Sequence, residues 1–536
     1  MVGTFNSVIG NTRVNTVKLS YTHEDVFFGN PGYFDKGDQT LLGADLNYQT
    51  HREGFSTRAN RLMDPAYQFD ETFAWFMPGK HGDHDMKFGV NFVYTPLHIF
   101  DASTMNGSFG FSANDRAFNA ADPRTYPDRL TIRVPAPSDF VVSGTYMGVF
   151  AQDKWKINNR LTASVGVRWD VERLPVPEKD NPKFKSVDDY PLDLNNISPR
   201  LGATWALDEQ GKSVIRGGWG MFYQKTPFTF VTGVVSAGVF SNSFVVNFPT
   251  NNIDPGPSLG NMPTDPFLVN GPVVNRALLN QRYPAGTLQK NAGTVNFDNP
   301  TRTLPFTRQA SVGYERQIGG SMAVSVDYIR NDLDDLYMRA DLNPATRAST
   351  ARTGAVTRPN PNFSAAVLEI NNLGWANSNS LQVSVVKRQT RWYQGRLAYT
   401  YSNTYGNTAS PGAIETISTQ IGSDLNLKAG EARTTQDRPH VLSLNGSVEV
   451  PKTRGLVVSG GLLYQSGSPF TLTDSTTDAN RNGQFEEPFP AGTYRGAASN
   501  PDAITVTAID GFRGARGPDQ FLANMRFGYR FKMAGR

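Results

Sequence analysis

The chain has 536 residues, of which 38% are hydrophobic, 11% aromatic and 19% charged. This composition allows a large core or a large barrel, and it excludes the collagenous and fully disordered classes. Lysine plus arginine (52) and aspartate plus glutamate (48) nearly cancel to a net charge of +4, so the charge gives no reason to expect nucleic acid as a partner.

Three features bear on the cellular compartment. The chain carries no cysteine, which fits a protein that crosses an oxidising periplasm without stray disulfides. The most apolar run, 140–151, is too short for a membrane-spanning helix. Residues 1–6 lack the basic and apolar regions of a signal peptide, so an exported protein with this start is expected to be a C-terminal fragment.

Apolar and polar residues alternate in segments of about ten residues, each ended by a turn, which is the pattern of a transmembrane strand with one face to lipid. An amphipathic helix has a period of 3.6 and cannot produce it. About fifteen strands are predicted, in chain order Arg13–Thr22, Leu41–His51, Tyr67–Pro78, Asp85–Thr95, Tyr146–Trp155, Arg160–Asp170, Ser198–Ala206, Ser213–Gln224, Phe306–Gln317, Met322–Arg330, Leu381–Arg388, Gly395–Asn403, Leu442–Val450, Leu456–Ser466 and Phe521–Phe531.

The two faces of these strands differ in character. In segment 160–170 the apolar face is predicted to hold Leu161, Ala163, Val165, Val167 and Trp169. The opposite faces are predicted to carry lumenal charges at Arg168, Arg216, Glu315, Arg388 and Arg526. Aromatic residues near strand ends predict a girdle at the membrane interfaces, with core filling of a soluble β-protein as the alternative, and they are Trp75, Trp155, Trp169, Trp205, Trp219, Phe527, Tyr529 and Phe531.

The connections between strands alternate between short and long. Short ones are predicted at 79–84, 156–159, 207–212, 319–321 and 389–394, and long ones at 96–143, 227–305, 341–379, 404–439 and 467–519. Short turns at one end and long polar loops at the other are typical of outer-membrane barrels, whose long loops lie outside the cell. The predicted fold class is therefore all-β, an antiparallel transmembrane outer-membrane β-barrel.

Several motifs carry a family resemblance. The stretch Phe150-Ala151-Gln152-Asp153-Lys154-Trp155-Lys156, with Val165-Gly166-Val167-Arg168-Trp169-Asp170 after it, resembles a hairpin common in TonB-dependent receptor barrels. Later stretches resemble the Oar-like, carboxypeptidase-regulatory-domain branch of that family. They are Ile197–Gly202, Val214–Tyr223, Phe306–Gln309, Val312–Gln317, Asp437–His440 and Gly467–Thr471.

The resemblance covers nearly the whole chain and implies a fold and a function. It implies that 1–536 is the barrel domain of a TonB-dependent receptor, with about 15 strands of a roughly 22-stranded barrel. In that family a plug fills the lumen, so the N-terminal part of the barrel, the plug and the signal peptide are expected to be absent from this sequence. The implied function is outer-membrane transport of a bulky, unidentified ligand, with outer-membrane lipid and TonB as partners.

One loop segment suggests a metal site. Asp478, Asn480 and Asn482 have the spacing of oxygen ligands in a calcium loop, and Gly483 supplies the turn. The closing bidentate glutamate is missing, although Glu486 or Glu487 offers a substitute. The alternative is a plain Asx and glycine turn, and no other cofactor is expected.

Other chemistry finds little support in the sequence. His81, Asp83, His84 and Asp85 are spaced like metal ligands, but they fall in a short turn marked by glycines, where solvated side chains are expected. No nucleophile elbow, phosphate loop or dinucleotide fingerprint is present, so the chain is not expected to be an enzyme. Two alternatives remain open, a passive porin or structural outer-membrane protein and a secreted all-β protein that binds or hydrolyses glycans.

Overall fold

The structure is a computed structural model, and every statement below on its structure refers to the residues that it describes. These are 1–29, 43–54, 59–104, 106–111, 115–122, 125–134, 138–174, 192–226, 242–247, 271–274, 277, 281, 295–299, 301–351, 354–361, 366–390, 392–408, 430–453, 455–474, 476–483, 485, 487–495 and 503–531. Across these ranges no helix has the length and apolar character that a membrane crossing requires.

Fifteen long strands form one continuous antiparallel wall. Numbered in chain order together with the shorter strands, they are β1 Val2–Ile9, β2 Arg13–Phe28, β5 Asn60–Met77, β6 Asp83–Asp101, β9 Ser138–Lys156, β10 Leu161–Arg173, β11 Ile197–Ala206, β12 Ser213–Tyr223, β15 Phe306–Ile318, β16 Met322–Asp341, β19 Val367–Lys387, β20 Tyr393–Gly406, β22 His440–Glu449, β23 Leu456–Gln465 and β30 Gln520–Tyr529.

The other fifteen strands are short and lie in the connections. They are β3 Asp45–Tyr48, β4 Arg52–Gly54, β7 Ser108–Phe111, β8 Arg129–Val134, β13 Asn242–Asn247, β14 Val295–Asp298, β17 Thr346–Arg347, β18 Val356–Thr357, β21 Ala432–Arg433, β24 Pro469–Phe470, β25 Thr473–Asp474, β26 Glu487–Pro488, β27 Gly492–Arg495, β28 Ala503–Val506 and β29 Ala515–Arg516.

Each wall strand pairs with the wall strands before and after it in the chain, so the wall is a simple up-and-down meander. The connections at one end of the wall are short, 10–12, 78–82, 157–160, 207–212, 319–321, 388–392 and 450–455. Those at the other end are all long and carry the short strands. The predicted asymmetry of the connections is confirmed.

The wall has two free edges. Among the described strands, β1 pairs only with β2, and β30 pairs only with β23. Both edge strands run from the long-loop end toward the short-turn end, because β1 leads into the short turn 10–12 and β30 follows the long connection 466–519.

The predicted fold class is confirmed, although one predicted strand is wrong and one wall strand is not predicted. The prediction that segment Leu41–His51 spans the membrane is wrong, because β3 within it pairs with β4 and β7 in a separate five-stranded sheet. The edge strand β1 is not predicted, because its sequence Val-Gly-Thr-Phe-Asn-Ser-Val-Ile does not alternate cleanly. The count of about fifteen holds because one error offsets the other.

The buried apolar core lies at the long-loop end. Phe109, Phe111, Leu130 and Ile132 are at most 1% exposed, and they belong to β7 and β8 of the five-stranded sheet β13-β8-β7-β3-β4. This sheet joins three different long connections into one unit, which we call the outer sheet. A second buried group lies where β16 and β19 extend beyond their neighbours, and it includes Met338 and Ile370.

Candidate functional site

One face of the wall is apolar. Val165 and Val167 of β10 remain 54% and 47% exposed, and the strand register places Leu201 of β11, 55% exposed, beside Val165. The same face continues through Trp219 of β12. Exposed apolar rows of this kind are what a lipid-facing surface requires, so the predicted outward faces are confirmed.

Most of the aromatic residues predicted for the girdle belong to this apolar face, and Phe531 lies beyond the end of β30. The register places Trp75, Trp155, Trp205 and Trp169 there, the first three close to the short-turn end. The indole of Trp155 donates to the carbonyl of His81, 2.9 Å away, and that of Trp169 donates to the carbonyl of Leu194, 2.8 Å away. An apolar ring with its N–H held at a strand end suits a membrane interface.

The apolar face also carries charged side chains. Glu71 lies on it, and the amide of Asn15, in the orientation that satisfies both groups, donates to Glu71 Oε1 over 2.5 Å. Asp153 also lies on it and contacts His84 Nδ1 at 2.6 Å. Both carboxylates are therefore hydrogen-bonded, which lowers the cost of their position.

The opposite face is polar and carries ion pairs that link neighbouring strands. Arg216 of β12 donates to Asp327 of β16 at 2.8 Å and to Glu315 of β15 at 2.9 Å. Gly313 lies below this triad, because a β-carbon there would come within 1.9 Å of Asp327 Oδ1. The missing side chain gives the carboxylate room to lie along the wall.

The predicted lumenal charges mostly fall on this polar face. The register places Arg168, Arg216, Glu315 and Arg526 on it. Arg388 is the exception, because β19 ends at Lys387 and the Arg388 N–H donates to the carbonyl of Ser321 in the neighbouring short turn.

Toward the long-loop end, buried polar side chains cover the polar face. Glu172, 5% exposed, accepts the backbone N–H of Thr226 at 2.9 Å. Thr226 in turn contacts the hydroxyl of Tyr337, 3.1 Å away, and Arg302 binds Asp298 through two hydrogen bonds of 2.7 and 2.9 Å. Arg302 also donates to the Tyr337 hydroxyl, so both ends of the longest connection, 224–305, are held against the wall strands β10 and β16.

A second group of contacts joins the last two long connections. Asp437 is fully buried, accepts the Thr404 N–H at 2.7 Å and pairs with the guanidinium of Arg516. Arg516 also donates to the carbonyl of Gly467 at 2.9 Å. The motifs Asp437–His440 and Gly467–Thr471, singled out from the sequence, thus meet here. We call Asp437 and Arg516 the loop clamp.

Arg513 reinforces the loop clamp from the same connection. It donates to the backbone carbonyls of Arg433 and Gly406, 2.5 and 3.1 Å away, and to that of Gly430. Its φ of 46° is in the left-handed region, which costs a non-glycine residue energy and is retained only where the surroundings require it. Burial lowers the pKa of this guanidinium. No pattern in the sequence indicates a role for Arg513 or Arg516.

The loop predicted to bind calcium is anchored by an arginine. Asp478 is fully buried, and its Oδ2 accepts from Arg347 Nε at 2.8 Å and from the Gly483 N–H at 2.9 Å. Its Oδ1 is buried without a hydrogen-bond partner in the described part of the chain. Asn480 Oδ1 accepts the Asn482 N–H at 2.9 Å.

Two glutamates were candidates for the closing ligand of this loop, and one of them is among the described residues. Glu487 Oε1 lies 3.3 Å from the Asn480 N–H, and Glu486 lies outside the described residues. In the described ranges no cluster of three or more histidine, aspartate or glutamate side chains has metal-binding geometry. The calcium hypothesis stays a prediction.

The turn that contains His81 connects β5 to β6 and forms the tip of their hairpin. His81 has a φ of 58° and Asp83 Oδ1 accepts the Gly79 N–H at 3.0 Å, so both residues shape the turn. His84 stacks on Trp155 with ring centroids 5.4 Å apart and contacts Asp153. Both histidines therefore contact Trp155, His81 through its backbone carbonyl and His84 through its ring.

Comparison with known proteins gives a consistent result. The family model described as "Outer membrane beta barrel domain" matches residues 1–510. The TonB-dependent transporter Oar of Myxococcus xanthus is 24% identical over 358 residues, which cover 62% of this chain and 31% of that protein. This chain thus spans less than a third of the curated relative that it matches.

Solved structures show the same fold at low identity. The outer membrane transporter YddB from Escherichia coli superposes with a TM-score of 0.59 at 12% identity, covering 98% of this chain and 55% of that one. The pyoverdine outer membrane receptor FpvA from Pseudomonas aeruginosa superposes with a TM-score of 0.52 at 10% identity, covering 99% of this chain and 54% of that one.

Proposed function

Because this chain belongs to the outer-membrane β-barrel family, we propose that it forms part of the wall of a TonB-dependent transporter that moves a bulky ligand. The family places the chain in the cell outer membrane. The observation that carries the proposal is the two-faced wall, with apolar rows toward lipid and inter-strand ion pairs toward the lumen.

The long-loop end supports capture of a ligand outside the cell. The outer sheet combines three connections around its own apolar core, and the loop clamp ties two more together. Ordered external loops held on a rigid wall are where binding residues concentrate. Energy would come from TonB, on which the Oar relative depends by its name. By the family resemblance, TonB would act on a plug in the lumen.

The relatives also favour a transport role over catalysis, because those named above are transporters and receptors. A secreted glycan-binding protein or hydrolase has no use for the exposed apolar rows of the wall. A passive porin shares the two-faced wall, so energy coupling is the property that separates it from a transporter.

The test compares nutrient uptake in the source bacterium with and without the intact gene. Solutes that the wild type removes from the medium and the deletion strain does not are first identified by mass spectrometry. We expect their removal to stop when TonB is deleted or the proton gradient is collapsed. Removal that continues without TonB would establish a passive pore instead.

A further inference from the structure

A hollow of about 410 Å³ lies in the polar face, over the short-turn halves of β9 and β10 and the middle of β11. Its floor consists of Ser164, Gly166 and Gly202. A β-carbon on Gly202 would meet no heavy atom closer than 3.6 Å, so the space above this glycine is open. The hollow therefore exists because small residues coincide on adjacent strands.

Two exposed cations line the hollow from opposite sides. The register pairs Ser164 with Lys154 on β9, and it pairs Gly166 with Arg200 on β11. Lys154 and Arg200 are thus two strands apart, about 10 Å across the sheet, and are offset by about 7 Å along the strands. Only small side chains stand between them on β10, so both long side chains can reach one bound group.

Neither cation is neutralised within the described part of the chain. The third cation of the hollow, Arg168, binds Asp170 at 2.7 Å, whereas no carboxylate of the described residues is within ion-pair distance of Lys154 or Arg200. Arg200 lies over the ring of Phe222, 4.6 Å from its centroid, which holds the guanidinium without cancelling its charge. Asp85 is the neighbour of Lys154 on the side away from the hollow.

We propose that this hollow binds an anionic group, a carboxylate or a phosphate, within the lumen. A guanidinium and an ammonium on two sides of an open floor provide charge-assisted hydrogen bonds to such a group. The proposal rests on the proposed function in one respect, that the ligand passes through the lumen. It adds that the transported ligand carries an anionic group. A carboxylate on a protein domain folded inside the barrel has the same chemistry.

The absence of cysteine allows a direct measurement of the local charge. Ser164→Cys places a single thiol on the floor of the hollow, and Ser384→Cys places one on the polar face of β19, where its register neighbours Ser325 and Ala398 are uncharged. Each purified variant is labelled with an anionic and a cationic methanethiosulfonate reagent, and the ratio of the two rates is recorded.

The anionic reagent should be favoured about fivefold more strongly at position 164 than at position 384, because two nearby cations raise the local potential. Adding Lys154→Gln and Arg200→Gln should remove this preference. Millimolar inorganic pyrophosphate should slow labelling at position 164 in the purified chain and leave position 384 unchanged. Equal ratios at the two positions, or a ratio insensitive to the double substitution, would overturn the proposal.

Labelling in whole cells that express the complete gene separates the two sources of the anion. Protection of the thiol at position 164 without added anion, lost when Lys154→Gln and Arg200→Gln are added, indicates a carboxylate of the protein itself. Protection only by added pyrophosphate indicates a free ligand. None of these measurements requires uptake, so the anion site and the transport function fail independently.

Discussion

The guanidinium of Arg168 occupies the space that a β-carbon on Gly148 would need. Such a carbon would lie 1.9 Å from Arg168 Nη2, and the guanidinium in that place reaches Asp170 at 2.7 Å and the Tyr146 hydroxyl at 3.2 Å. Gly313 and Asp327 repeat the arrangement on β15 and β16. Glycines in this wall thus set where inward charges can lie along the sheet.

We expect Gly148→Ala to destabilise the protein by about 1–2 kcal/mol, because the flexible Arg168 side chain moves aside and its hydrogen bonds are lost. The change is read from chemical unfolding in detergent. Gly202→Ala is the matched control, because its new methyl group meets nothing closer than 3.6 Å and should change the free energy of unfolding little. Equal effects of both substitutions would contradict the role given to Gly148.

Substitution of an outward valine tests which face meets lipid. Val167→Arg places a charge on the apolar face in the middle of β10, where insertion should cost about 2–4 kcal/mol near the bilayer midplane. Ser164→Arg, three residues away on the polar face, should cost much less. Folding yield into lipid vesicles measures both. A greater loss for Ser164→Arg would reverse the assignment of faces.

Removal of the buried carboxylate should open the loop clamp. Asp437→Asn takes the charge from beside Arg516 and should cost about 1–3 kcal/mol locally, because Asp437 is buried while Arg516 remains partly exposed. Limited proteolysis should then cut the connections 407–439 and 466–519 faster. Asp474→Asn, at a half-buried aspartate of the connection 466–519 that accepts from Thr476, serves as control. Unchanged cleavage in Asp437→Asn would show that the clamp does not hold the loops.

Asp208 should make one short turn sensitive to acid. Hydrogen bonds from the backbone N–H groups of Lys212 and Ser213 hold the pKa of Asp208 below its usual value of about 4. The carboxylate therefore stabilises the turn above that value, and this contribution disappears as the pH falls through the lowered pKa.

Hydrogen exchange of segment 207–213, corrected for the intrinsic rate, measures the effect on this turn. Protection should fall below about pH 4 in the wild type. Asp208→Asn should be less protected at neutral pH and should show no step in acid. A wild-type turn whose protection stays constant from neutral pH to about pH 2 would rule out this role of Asp208.

The calcium hypothesis for Asp478, Asn480 and Asn482 predicts an effect of the neighbouring arginine. Arg347 already pairs with Asp478, so wild-type affinity should be weak, in the range of about 10⁻⁴–10⁻³ M known for extracellular sites. Arg347→Gln should tighten binding, and Asp478→Asn should abolish it. Calorimetric titration measures all three proteins. Absence of binding heat in both the wild type and Arg347→Gln would exclude the site.

Features that depend on local alternation could be predicted from the sequence. The apolar face of β10, with Val165, Val167 and Trp169, could be predicted because side chains in a strand point alternately to its two faces. Segment Leu41–His51 shows the limit of this reasoning, since a short strand of the outer sheet alternates as a membrane strand does. Alternation identifies a two-sided environment, and it does not say whether lipid or protein covers the apolar side.

Contacts between distant connections were beyond prediction. Arg347 and Asp478 are separated by 131 residues, and Asp437 and Arg516 by 79. No spacing rule links such pairs, because their meeting depends on how several long loops pack together. For the same reason the hollow between Lys154 and Arg200 follows from strand register and could not be recognised in the sequence.

The shared direction of β1 and β30 limits how this wall becomes a ring. Adjacent members of an antiparallel ladder alternate in sense, so a run of fifteen starts and finishes with the same sense. If β1 paired directly with β30, that one pair of strands would be parallel. A closed ring in which all neighbouring strands are antiparallel has an even number of strands. If such a ring includes these fifteen strands, the number of strands added to them is therefore odd.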